Sequence, residues 1–404
     1  MEPLLFLVHR IPYPPNKGDK IRSYHLLEHL ARHYAIHLGT FIDDPEDWSY
    51  QDKVKALCAS TCFLPLNPRQ SRLSSLKGLW TGQALTLPYY YQAPLQQWVD
   101  AVMQREQIRH IVVFSSSMAQ YVERYPQAYR LMDFVDLDSD KWTQYARARS
   151  WPMNQLYRRE GRRLLDYERH IAATFDASLF VSAHEAGVFC ERAPLCAPKV
   201  HWYNNGVDTR YFDPGLTHPN PYPPAQIALV FTGAMDYWPN AEAVTWFGKT
   251  IFPHLRGLHP NLHFYIVGSN PTDSVRQLAD REGVQVTGRV PDVRPYLAHA
   301  HLVVAPLRIA RGIQNKILEA LAMEKPVLTS PQAMEGLETG ALGVGCQTAT
   351  RPEEWVTGVQ PWLQGPPQRL ASHRQWVIRH FDWATNLGAV DDLLSSARTR
   401  QVAS

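Results

Sequence analysis

The sequence predicts two successive doubly wound α/β domains. Short apolar runs alternate with helical patterns along the chain, the signature of strand–helix–strand units in a parallel sheet. The alternation stops in a Pro-, Asn- and Gly-rich stretch and then restarts, and 404 residues exceed what a single core holds.

In chain order, LLFLV (4–8), AIHLGTF (35–41), HIVVFS (110–115), LMDFV (131–135) and ASLFVS (177–182) read as buried strands. Segments 20–33, 94–105, 154–175 and 183–192 carry helical periodicity between them. The stretch YNNGVDTRYFDPGLTHPNPYPP stops regular structure and suits a linker over 206–225. Strands resume as IALVFTG, HFYIVGS, VQVTG, HLVVAPL and PVLTS, separated by helical segments such as 239–256 and 313–323. The expected domains are therefore 1–205 and 226–375, followed by a helical segment over 376–404.

Composition excludes some classes. Apolar residues make up 45% and charged residues 20% of the chain, ordinary values for a folded protein and not for a disordered one. A net charge of +3 tolerates anionic ligands or an acidic membrane surface without demanding nucleic acid. The five cysteines are odd in number and scattered, which argues against a disulfide framework. Cys58 and Cys62 are spaced like a metal half-site but lack a second pair, so they read as buried apolar thiols. MEPLLFLVHR reads as a first strand and not as a signal peptide. No window approaches the ~18 uncharged apolar residues of a membrane span. A protein that is cytoplasmic or peripheral at the inner face of the cell membrane is expected.

In open parallel sheets ligands sit beyond the carboxyl ends of strands, so the residues that follow strands are the informative ones. After the first strand comes a Pro-rich loop with Gly18, where backbone could approach a phosphate and Lys17, Lys20 and Arg22 would add charge; a plain turn with solvated lysines explains the same residues. In FTGAMDYWPNAEAV, Gly233 ends a strand and Pro239 and Asn240 mark a helix start. Gly288 and Arg289 end another strand and could face a base or phosphate, or Arg289 is an ordinary surface charge.

The fourth exit, PLRIARGIQNKILEALA, carries the most. A helix N-terminus presents unpaired N–H groups and partial positive charge, yet Arg308, Arg311 and Lys316 crowd this one. A diphosphate would resolve that conflict by accepting from the amides around Gly312, Gln314 and Asn315 while pairing with the cations. Glu319, one turn in, suits vicinal hydroxyls such as those of a ribose.

These residues carry a resemblance. VHWYNNGVDTRYFDP (200–214), with NGVD followed by Phe212 and Pro214, resembles the interdomain signature of family 4 glycosyltransferases, and the Gly18 loop, FTG, VTGRV, LEALAMEKPVLTS and FDW (381–383) extend the likeness over nearly the whole chain. Segments DFVDLDSDKW (133–142) and GIQNKILEALAMEKPV are similar to bacterial sugar transferases associated with PEP-CTERM/exosortase systems. The resemblance implies a GT-B fold: two Rossmann-like domains facing a central cleft, the N-terminal one on the acceptor side, the C-terminal one holding the nucleotide sugar, and a last helix returning to the N-terminal domain. It implies a retaining hexosyltransferase using a UDP- or GDP-type donor, without a separate cofactor or bound metal, and acting on an exopolysaccharide or lipid-linked glycan. In the family motif of two Glu separated by seven residues, Glu319 fits the second position and Arg311 stands at the first. The family's Arg and Lys phosphate clamp after the FTG strand is also missing, so Arg308, Arg311 and Lys316 are expected to supply that charge, with Arg311, Lys316 and Glu319 as the catalytic set.

On the acceptor side, Asp136, Asp138 and Asp140 resemble an Asp-x-Asp metal motif, but they end a strand far in sequence from the donor residues. An acceptor or loop-capping role for Asp136 and Asp138 is preferred, with Lys141 and Trp142 beside them. Ser115, in SSSMAQYV, is a second acceptor-side candidate or a helix cap. Helix 154–175 places Arg158, Arg159, Arg162, Arg163 and Arg169 largely opposite Leu164, Leu165 and Ile171, which fits either a peripheral membrane contact or a solvated helix face. A sugar-nucleotide epimerase or phosphorylase of the same fold, or a non-catalytic nucleotide-sugar-binding partner, is the alternative.

Overall fold

The computed structural model describes residues 1–404 except 16–17, 148, 311–312, 335–336, 338–342, 344 and 403–404, and side chains as far as residue 396. The chain divides into two compact units, Met1–Asn204 with Leu387–Ser404, and Asn205–Asn386.

The first unit is built on strands β1 (Glu2–Val8), β2 (Tyr34–Ile42), β3 (Ser60–Pro65), β4 (His110–Phe114), β5 (Tyr129–Val135), β6 (Ala177–Phe180) and β7 (Val200–Trp202). They form a seven-stranded sheet in the order β3-β2-β1-β4-β5-β6-β7. Each pairing is parallel. The central strands are near-continuous apolar runs because both their faces are covered. Helix α1 (Gly18–Leu30) follows β1, with Leu26, Leu27 and Leu30 buried. Helices α2 (Pro68–Ser75), α3 (Lys77–Thr81) and α4 (Thr86–Tyr90) precede β4, and α5 (Asp138–Arg147) and α6 (Met153–Thr174) lie between β5 and β6.

The second unit has strands β8 (Ile227–Thr232), β9 (Leu262–Val267), β10 (Val284–Gly288), β11 (Leu302–Ala305), β12 (Val327–Thr329) and β13 (Cys346–Thr348), in the order β10-β9-β8-β11-β12-β13. Helix α7 (Trp238–Trp246) follows β8 and α8 (Asn315–Ala322) follows β11. Phe231, Phe247, Phe264, Ile317, Leu321 and Trp355 contribute to one buried core. Both units are Rossmann-like parallel α/β domains, as the alternating pattern predicts.

Residues 206–225 lie in the second unit, and their start is firmly held despite its irregular backbone. The Val207 N–H donates to Phe381 O at 2.8 Å, Thr209 Oγ1 donates to Asp382 at 2.6 Å, and Arg374 donates to Thr209 O and Phe212 O. A Cβ on Gly206 would fall 2.8 Å from the Trp383 ring, so the NGVD turn needs its glycine for close approach. The last helix, α9 (Trp383–Val402), contributes residues from 387 onward to the first unit, where Asp391 meets His29 Nε2 at 2.9 Å.

Each sheet reverses its direction of winding once, between β1 and β4 and between β8 and β11. Chain leaving such neighbouring strands opens a crevice at their carboxyl edge, which is where open α/β sheets hold ligands.

Candidate functional site

In the second unit the switch point is framed by the exits of β8 and β11. Gly233 follows β8 directly with φ 152°, and its N–H donates to Val267 O at 3.0 Å. Gly268, after β9, packs against it so closely that a Cβ there would lie 1.7 Å from Gly233 O. A Cβ on Gly233 would in turn fall 2.8 Å from Asn240 Nδ2. That amide donates to Ala234 O at 2.8 Å, and Asn240 Oδ1 accepts from Lys316 Nζ at 2.8 Å. Lys316 also lies over the Phe231 ring, 4.9 Å from its centroid.

Lys316 and Glu319 are half-buried on α8. Burial pushes the Lys316 ammonium down to about 8, against the opposing pull of Glu319. Burial likewise raises the Glu319 carboxyl to about 7, against the pull of Lys316. Both groups are thus poised near neutrality in a partly dry setting, where an incoming anion can decide the charge of each.

The remaining donor-side candidates divide. Gln314 is the N-cap residue of α8 without a side-chain capping bond, and no acidic residue occupies the first turn. Asn315 follows, its buried Oδ1 without a partner among the described residues. Arg308 is turned away to Glu242, 3.2 Å away, and lies over Trp246. Arg289 is exposed after β10. Arg311 and Gly312 lie outside the described residues. The sequence reading missed Asn240 as the tether of Lys316 and Gly268 as the second close-approach glycine. An Asn inside the first turn of a helix, where propensity disfavours it, is the signal that could have found the first.

In the first unit the structure corrects the expected charge around Gly18. Gly18 does begin α1, and a Cβ there would meet nothing within 4 Å. Lys20, however, is buried against Asp47 at 2.5 Å. Arg22 is fully buried and paired with Asp133 through Nε at 3.0 Å and Nη2 at 3.2 Å, with the Tyr203 ring 3.5 Å from its guanidinium. Both cations are neutralised inside the domain because an unpaired charge there would be costly, so neither is left for a phosphate. His9 and Arg10, at the end of β1, instead meet Asp19 at 3.5 and 2.8 Å.

Ser115, at the β4 exit, is nearly buried with φ 74°, its Oγ 3.3 Å from Ser117 Oγ. At the β5 exit Val135 has φ 68°, a strained value for a β-branched residue, and its N–H donates to Asp133 Oδ1. Asp136 and Asp138 converge on Lys141 at 3.0 and 3.1 Å. Against the effect of burial, these carboxylates raise the Lys141 ammonium well above its usual range. Asp140 points elsewhere, to Arg192 at 2.6 Å. The three aspartates therefore do not act as one cluster.

Comparison with known proteins identifies the domain that carries these residues. Residues 226–364, spanning β8 to the helices after β13, match the family model described as "Glycosyl transferases group 1". The second unit thus carries a group 1 glycosyltransferase domain, and the chain is a glycosyltransferase. Sucrose-phosphate synthase from Thermosynechococcus elongatus superposes with a TM-score of 0.66 at 16% identity, covering 100% of both chains. WaaG, a glycosyltransferase involved in lipopolysaccharide biosynthesis, gives 0.63 at 15% identity over 96% of this chain and 99% of its own. HepE from Anabaena, in complex with UDP and glucose, gives 0.60 at 14% over 97% and 99%. At such identities the likeness speaks for the fold, which is GT-B, with two Rossmann-like domains. A search of curated proteins finds no match.

Proposed function

We propose that this glycosyltransferase is a retaining enzyme that moves a hexose-type sugar from a nucleoside diphosphate donor to a bacterial exopolysaccharide or lipid-linked glycan. The observation that carries the reading is the Asn240–Lys316 pair at the switch point between β8 and β11, with Glu319 one turn further along α8. The donor diphosphate takes the free N–H groups of α8 and the Lys316 ammonium, and Glu319 accepts from the ribose hydroxyls. Arg311 adds a cation from the segment before the helix, in place of the family's usual Glu.

Lys316 begins tethered to Asn240, so it is positioned before the donor arrives and loses little freedom on binding. Charge that develops on the leaving diphosphate is met by the same groups, and the diphosphate oxygen nearest the acceptor takes its proton on the face of attack. Ser115, Asp136, Asp138 and Lys141 are proposed on the acceptor side, and Gly18 lets the first β–α loop approach a ligand. HepE's complexes with UDP and UDP-glucose support a uridine diphosphate donor as the first to try. WaaG's role in lipopolysaccharide biosynthesis supports a lipid-linked acceptor and a place at the inner face of the cell membrane.

The test is a thermal-shift screen of sugar nucleotides, since a true donor stabilises the fold by mass action. The largest shifter is then assayed for sugar transfer and hydrolysis by wild type and Arg311→Glu. Transfer by wild type and its loss in Arg311→Glu are expected. Wild type silent with every donor that binds would overturn the reading.

A further inference from the structure

Helices α2 and α3 are joined through Leu76, which is itself helical (φ −60°, ψ −24°), so the chain is helical over 68–81. Its amphipathicity is inverted. The residues it buries are Ser71 and Gly78. Its large apolar side chains face solvent: Leu73 is 70% exposed, Leu76 49%, Leu79 43% and Trp80 93%. The inward contact is close and polar, with Arg159 of α6 donating to Gly78 O at 2.7 Å. A Cβ on Gly78 would lie 3.2 Å from the carbonyl oxygens of Gln83 and Ala84, so small residues are what let this helix lie down on the domain.

Charge around the apolar row has one sign. Arg69, Arg72 and Lys77 are exposed on the same helical segment, and between Asp52 and Asp100 the sequence contains no Asp or Glu. A water-facing helix ordinarily mixes signs and hides its leucines, and this one does neither. We infer that the α2–α3 segment docks on an anionic lipid surface, with Leu73, Leu76, Leu79 and Trp80 entering the acyl boundary and Arg69, Arg72 and Lys77 among the headgroups. The pattern is that of an in-plane interfacial helix.

A second copy of the chain is a poorer occupant, because a two-fold contact would set these cations against themselves. Helix α6 is also a poorer surface. Its exposed row of Arg158, Arg162, Arg163 and Arg169 includes Asp166, and the exposed apolar side chains nearest to it, Trp151 and Met153, stand before or at the first residue of the helix and not within that row. The inference rests on the membrane setting proposed above and names the surface that reaches it.

The test uses the full chain in sedimentation with vesicles of phosphatidylcholine alone or with one quarter phosphatidylglycerol. Wild type is expected to pellet with the anionic vesicles and to be released by salt. Trp80→Ser with Leu76→Ser, both already exposed, should keep the melting temperature and bind at least about ten-fold more weakly. Arg69→Gln, Arg72→Gln and Lys77→Gln together should lose the preference for anionic lipid. Wild type staying in the supernatant would overturn the membrane setting itself. Wild type pelleting while the Trp80/Leu76 variant pellets equally would overturn this surface alone. Equal binding to both vesicle types would remove the anionic requirement, and lipid-free dimers abolished by Trp80→Ser would give the face to a second copy; either overturns the inference.

Discussion

Lys316 Nζ donates to Asn240 Oδ1 across 2.8 Å, joining the helix after β11 to the helix after β8 at the point where the sheet reverses its winding. Asn240 is held in turn by its bond to Ala234 O, so the position of the ammonium is set by the loop that leaves β8. Lys316→Ala should weaken nucleoside diphosphate binding by about 1.5–3 kcal/mol, the loss of a charge-assisted hydrogen bond. Asn240→Ala should cost less, because it releases the cation without deleting it. Calorimetry with UDP and GDP checks both, and an unchanged affinity in Lys316→Ala would remove this residue from the site.

Binding of a sugar nucleotide should be strongest between about pH 7 and 8. The diphosphate needs Lys316 charged, and that is lost as pH rises through its lowered value of about 8. Ribose capture needs Glu319 ionised, and that is lost as pH falls through its raised value of about 7. Glu319→Gln should flatten the acidic limb and Lys316→Arg should move the alkaline limb upward. Affinity measured from pH 6 to 9 in the three proteins decides it; a wild-type profile flat over that range would contradict the assignment.

Glu168 is fully buried, accepting from Ser139 N and Oγ, and burial raises its carboxyl to about 8 in spite of those bonds. A carboxyl whose folded value exceeds its unfolded one binds more protons in the folded state, so its contribution to stability is lost as pH climbs from about 4.5 to 8. Glu168→Gln removes that dependence. The variant should melt at or above the wild-type temperature at pH 8 and gain relative to it between pH 5 and 8. A wild type that gains on the variant over that range would show that the ionised form is the one the fold prefers.

Gly268→Ala places a methyl group 1.7 Å from the Gly233 carbonyl oxygen, and backbone cannot yield that far without losing the β8–β9 exit. A loss of about 3 kcal/mol or more is expected. Gly18→Ala meets nothing within 4 Å and should change stability by less than about 0.5 kcal/mol. Melting temperatures of the two variants test the contrast.

Asp133→Ala should destabilise the first unit by about 3–5 kcal/mol, because it strands the Arg22 guanidinium in the core. Tyr203→Phe removes a hydroxyl that donates to Asp133 Oδ2 at 2.7 Å and should cost about 1 kcal/mol. Hydrogen exchange along β5 reads both effects, and a tolerant Asp133→Ala would show that water reaches the arginine.

The central strands were legible in the sequence because covering both faces demands continuous apolar runs, as in HIVVF and IALVF. The strands that escaped notice, β3, β7 and β13, are sheet edges with mostly half-buried residues, so their runs are broken by Ser, Thr, His and Gln. Helix 68–81 was missed for the opposite reason: its apolar residues face outward and leave no core stripe to detect. At the candidate site, the misplaced charge before α8 pointed to Lys316 and Glu319. The partner of Arg22 was out of reach, since Asp133 is 111 residues away and nothing local requires it.

The first unit takes its last helical residues from 387 onward, after the whole of the second unit has been made, and Asp391 there meets His29 of α1. During synthesis the ribosome therefore delivers every strand of the first sheet long before the carboxylate that closes on His29. For the time needed to translate some 180 further residues at roughly 5–20 residues per second, about ten seconds or more, that nascent domain must wait with the α9 docking face uncovered. The second unit, contiguous from Asn205 to Asn386, faces no such delay and can close as soon as it leaves the exit tunnel.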